Sequence, residues 1–248
     1  MWPFSIDLTV WLFPVLLLWA PAGLFAQDTG SRDRSMEQLM DHAYGPDQSL
    51  INGLQFYDRY LGVMGHPYLW EDRFREGSVT IGGMKHEGLE LKYDLVEQEV
   101  VVKYTGGDGL INLVVTVPEH LEAFSVGPVL FRRLRINGTE GRFYQVVPTD
   151  HFDGYIHWEK KRVMINGNTR YREKCTDAAG HYLLWVDGEW RSYRNRRSFL
   201  RCFPVDWRRE IRATLRSQNV QLGQASPEEM IRWLEAVSET IGKMDSLE

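Results

Sequence analysis

Apolar residues alternate with polar ones from 77 to 104, GSVTIGGMKHEGLELKYDLVEQEVVVKY. Val79 and Ile81 alternate with Ser78 and Thr80, and Leu89, Leu91 and Tyr93 alternate with Glu90 and Lys92. A period of two predicts strands with one apolar and one wet face. Gly82-Gly83 and the polar stretch 94–98 separate three such runs. Connections this short predict antiparallel neighbours, because a parallel crossover needs a dozen residues or more. The pattern continues through 110–117, 123–126, 129–136 and 142–147. It resumes in 155–165, 169–174, 181–186 and 190–193. Turn chemistry lies between the runs, including Asn137-Gly138, Asn166-Gly167 and Asp187-Gly188. A further short strand is expected over 54–57, with Trp70 and Phe74 packed under the meander.

The period then changes. Trp207, Ile211 and Leu215 recur every four residues, which predicts a basic helix over 206–218 with one apolar stripe. Ser226-Pro227-Glu228-Glu229 reads as a capping box with proline at the first helical position. It opens a second helix through Ile241, with Met230, Trp233, Leu234 and Val237 facing inward. The fold class is mainly β: an antiparallel meander forming a barrel, half-barrel or sandwich, with two C-terminal amphipathic helices that cover an open face or edge.

At the other end, residues 8–25 are strongly apolar and run into small residues before Ala26-Gln27, the pattern of a secretory signal peptide. The rival reading is a retained membrane anchor; Pro14 and Pro21 inside the run favour cleavage. The expected organisation is a signal peptide over 1–26 and a polar leader with one short helix over 27–49. The β domain follows over 50–203 and the helical pair over 204–248.

The formal net charge of −5 is mild but unevenly placed. Residues 28–150 hold 12 Lys and Arg against 19 Asp and Glu, residues 151–218 hold 15 against 8, and the remainder 2 against 6. The basic part centres on RSYRNRRSFLR at 191–201, and aromatics interleave with it. In an exported protein this points away from nucleic acid and toward an anionic ligand or membrane surface. The competing explanation is arginine stems covering the sheet and pairing with the acidic first half. Tyr193, Arg194, Arg196, Arg197 and Trp207 are the candidate ligand-binding residues.

The signal ending LFAQ, Asn52-Gly53, Gly65-His66-Pro67, GSVTIGG followed by LELKYDL and EVVV, and the two terminal helices resemble a group of secreted Bacteroidota proteins with no assigned activity. The resemblance covers most of the chain beyond residue 26. It implies export to the periplasm or outer membrane and nothing about chemistry.

Catalytic signatures are sparse. Neither H-E-x-x-H nor G-x-S-x-G occurs, and Gly106-Gly107-Asp108-Gly109 lacks the lysine and helix of a phosphate loop. No cofactor motif is present. The densest constellation is HFDGYIHWE, where His151, Asp153, His157 and Glu159 are the candidate metal ligands, set against a polar hairpin with a solvated face. Cys175 and Cys202 are either one disulfide, worth about 3 kcal/mol on the chain-entropy model, or two separate thiols. Two functions are carried forward. One is a non-catalytic envelope protein, an interaction module or a carrier of an apolar, lipid-like ligand. The other is a secreted hydrolase of carbohydrate or peptide that uses carboxylates or His151 and His157.

Overall fold

The computed structural model describes residues 53–105, 109–136, 138, 140–167, 170–218 and 221–246. The expected signal peptide and the helix over 35–44 lie outside them. The strands are β1 (Leu54–Gln55), β2 (Val63–Met64), β3 (Arg75–Ile81), β4 (Met84–Asp94), β5 (Glu99–Thr105), β6 (Ile111–Val115), β7 (Leu121–Val126), β8 (Val129–Leu134), β9 (Arg142–Pro148), β10 (Asp153–Glu159), β11 (Arg162–Met164), β12 (Glu173–Cys175), β13 (Ala179–Val186) and β14 (Glu189–Tyr193). The helices are α1 (Arg196–Leu200), α2 (Arg208–Ser217) and α3 (Pro227–Asp245).

Eleven strands form one antiparallel sheet, ordered β1-β6-β5-β4-β3-β7-β8-β9-β10-β13-β14. It consists of two meanders that meet where β3 pairs with β7. On the other side of β3, a bulge between Gly77 and Val79 interrupts its pairing with β4. At the β3–β7 join a Cβ on residue 77 would lie 2.0 Å from the Ser125 carbonyl oxygen, so only glycine lets the two strands approach. The tight turns use the expected residues: Asp187 and Gly188 both have positive φ, at 53° and 76°.

Alternation puts Leu91, Tyr93, Val100, Val102, Phe131, Ile156, Leu184 and Tyr193 on one face, where all are buried. Tyr93, Phe124, Phe131 and Phe143 form an aromatic cluster there, with ring centroids 4.7–6.2 Å apart. The helices cover the same face and complete one core with Phe199, Ile211, Leu215, Met230, Trp233 and Val237. Gly154 lets α3 sit close, since a Cβ there would meet Leu234 Cδ1 at 2.4 Å.

The sheet is curled. Four strands separate β4 from β10 in the sheet order, yet their ends meet. The Lys160 N–H donates to the Leu95 carbonyl at 3.1 Å, and Gln98 Nε2 donates to the Trp158 carbonyl at 3.0 Å. Among the described residues no strand pairing joins β1 to β14.

Three expectations change. The single strand over 155–165 is two, because Lys160 leaves the main sheet; β11 then joins β12 and β2 in a separate three-stranded sheet. The run 191–201 hides α1, whose N-cap Asn195 forms a capping box with Ser198. Trp70 packs against the core. Phe74 instead lies on the outer face, with the Lys92 ammonium 4.5 Å over its ring.

Candidate functional site

Two cavities open near the pinched end of the sheet. The larger, about 870 Å³, is polar; Glu97, Gln98, Arg133, Arg142, His157 and Glu159 contribute to its walls. His157 and Glu159 point to the same face of β10, as their spacing of two requires. His157 Nδ1 lies 2.9 Å from the Phe143 carbonyl, so the neutral ring keeps its proton on Nδ1. Burial holds this imidazole below its ordinary pKa, and the positive charge of Arg142 acts in the same direction. Glu159 is engaged by His181 Nε2 at 3.0 Å and by Lys161 at 3.5 Å. The hydrogen bond from His181 holds its carboxyl below the usual range. Glu97 lies 3.8 Å from Arg59. Arg133 Nε is buried without an acceptor. Cation and carboxylate are interspersed throughout this cavity, and its two closest acid–base candidates, His157 and Glu159, are already engaged with protein partners.

The smaller cavity, about 530 Å³, is mainly apolar, with walls of Leu69, Trp70, Trp158, Ala178, Ala225 and Pro227. It lies where the curled end of the sheet meets the loop that leads into α3. That loop is fixed by the predicted capping box: Ser226 N donates to Glu229 Oε2 at 2.8 Å, and Glu229 N donates to Ser226 Oγ at 3.2 Å. Both indoles are tied down. Trp158 Nε1 donates to Gln145 Oε1 at 2.7 Å, and Gln145 Nε2 donates to the Pro227 carbonyl at 2.8 Å. Trp70 Nε1 donates to Glu228 at 3.1 Å, while the Arg75 guanidinium stacks 4.6 Å above the Trp70 ring. Rigid, hydrogen-bonded aromatic walls around an apolar space are the usual construction of a small-molecule site.

The four candidate metal ligands do not converge. His151 turns to Asp245 at the end of α3, 3.5 Å away. Asp153 accepts from Tyr155 at 3.4 Å, leaving only His157 and Glu159 in one cavity. Among the described residues, no group of three or more His, Cys, Asp and Glu is placed to hold a metal ion. Of the two readings of Cys175 and Cys202, the structure has the two separate thiols. Cys175 is half-buried in β12, Cys202 is buried after α1, and both are free thiols. Burial pushes both thiols above their ordinary pKa.

The candidate ligand-binding set also divides. Tyr193 is a core residue, edge-on to Phe199 and stacked on Tyr182. Trp207 packs against the core. Arg194 and Arg197 are exposed and Arg196 is half-buried. The walls of the apolar cavity went unrecognised in the sequence because they come from four separate segments. The one local signal was the capping box that fixes the α3 loop. No family model, curated protein or solved structure matches the chain.

Proposed function

We propose that the protein is a non-catalytic, exported envelope protein that binds a small apolar or lipid-like ligand in the Trp70–Trp158 cavity. The observation that carries this reading is an apolar space of about 530 Å³, within the range of small-molecule sites. Two hydrogen-bonded indoles wall it. The curled sheet is the half-barrel of the fold expectation, and α3 with its leading loop acts as the cover at its mouth. Envelope placement rests on the apolar run at 8–25 and on the resemblance to secreted Bacteroidota proteins. The hydrolase reading has one observation in its favour, the shared cavity of His157 and Glu159. It ranks second because each of those side chains already has a protein partner.

Native mass spectrometry of protein recovered from its own host is the first test, followed by titration with the neutral apolar dye N-phenyl-1-naphthylamine. Wild-type protein should bind the dye saturably, and Ala178→Trp, which fills the cavity, should weaken binding at least tenfold. An apo mass together with dye binding unchanged by Ala178→Trp would overturn the proposal.

A further inference from the structure

The basic run lies on the outer side of the helical layer. Ile211 and Leu215 of α2 are buried against the core. Arg209, Arg212 and Arg216 are spaced three and four apart, so they form one stripe on the opposite side of that helix, and all three are exposed. Arg194, Arg197 and Arg201, on and beside α1, are exposed as well. Pairing with the acidic first half of the chain does not account for them. Among the described residues, Arg209 contacts only its neighbour Glu210, at 3.8 Å, and the other five form no ion pair. The acidic groups among them are the exposed Asp206 and Glu210. The patch is thus strongly cationic on a chain whose net charge is −5.

Between α1 and α2 the chain presents Pro204 and Val205, both exposed, Val205 at 71%. Exposed arginines on two successive helices, with an exposed apolar pair in the connection between them, match the anionic headgroups and acyl boundary of a bilayer. A nucleic-acid site would instead offer aromatic rings for stacking, and the aromatics here, Trp207 and Phe203, are turned into the core. Among the described residues no helix is long and apolar enough to cross a membrane.

We propose that the α1–α2 face docks on an anionic membrane surface, through Arg194, Arg197, Arg201, Arg209, Arg212 and Arg216, with Val205 entering the interface. The proposal does not depend on the ligand cavity, and its test uses no ligand.

The test is flotation with vesicles of phosphatidylcholine containing about one-third phosphatidylglycerol, with pure phosphatidylcholine vesicles as the control for charge-independent attachment. Protein is used as recovered from its host. Wild type should float with the anionic vesicles only, and raising the salt should release it. Arg209→Gln/Arg212→Gln/Arg216→Gln should lower the partition coefficient about 100-fold. Val205→Asp should lower it further. All substituted positions are exposed, so melting temperatures should match wild type. A separate variant, Arg194→Gln/Arg197→Gln/Arg201→Gln, probes the other half of the patch if the first fails to fold. Equal flotation on both vesicle types, no loss in either triple variant, or binding to a DNA oligonucleotide without binding to vesicles would each overturn the proposal.

Discussion

Gln145 is fully buried at 0% exposure, on the core face of β9. Its amide links Trp158 on β10 to the start of α3, through bonds of 2.7 and 2.8 Å. Replacing it with methionine keeps the length and removes both bonds. The Trp158 indole N–H, on a side chain 3% exposed, is then left without an acceptor. Stranding a buried donor costs about 1–3 kcal/mol. Losing the bond to Pro227 costs about 1 kcal/mol more, since that carbonyl still begins the helix. The expected loss is about 2–4 kcal/mol, and for a domain of this size each kcal/mol lowers the melting temperature by about 2–4 °C. Thermal unfolding followed by circular dichroism should therefore show a drop of about 4–16 °C. Trp158→Phe in the Gln145→Met background removes the stranded donor, so its cost there should be about 1–2 kcal/mol smaller than in the wild-type background. Strictly additive costs, or a single variant melting within about 2 °C of wild type, would refute the assignment of Gln145 as the tie between sheet and helix.

Two partly or fully buried imidazoles give a second expectation. Burial holds His157 and His66 below 6.5 in the folded protein, so as pH falls through 6.5 the unfolded chain takes up protons that the folded one does not. Stability is then full above 6.5 and declines as the pH falls toward the folded values. Melting temperatures between about pH 7.5 and 5.5 should fall with acid, less steeply in His157→Asn. An equal slope in that variant would remove His157 as a source. Thiol accessibility supplies a third: half-buried Cys175 should react with Ellman's reagent in the native state, whereas Cys202 should react only on unfolding. Loss of two hydrogens from the intact mass, or native reaction of Cys202, would contradict the two free thiols of the structure.

Much of the architecture is written locally. The alternation of Leu91 and Tyr93, of Val100 and Val102, and of Leu184 and Val186 assigns each strand's core face, because a side-chain period of two leaves no other choice where one face is buried. Ser226 with Glu229 marks the start of α3 for an equally local reason: the first-turn N–H groups need acceptors. Even α1 has a local signature, the Asn195–Ser198 capping box, set among arginines that carry no helix-start signal of their own. The site was far less legible. Nothing near Lys160 in sequence announces that its N–H will reach Leu95, 65 positions earlier, so the split of one apparent strand into β10 and β11 depended on how far the sheet curls. The curl also joins Leu69 and Trp70 to Trp158, Ala178 and Ala225 around one cavity. It sends His151 to Asp245 while His157 stays on the sheet, dispersing four residues that lie within nine positions of each other. The sequence by itself determined the core face of the main strands and the start of α3, since those follow from periodicity and backbone hydrogen bonding. Which distant segments share a cavity, and whether two cysteines meet, was decided only by the tertiary structure, because sheet curvature and helix docking are set by packing summed over the whole core.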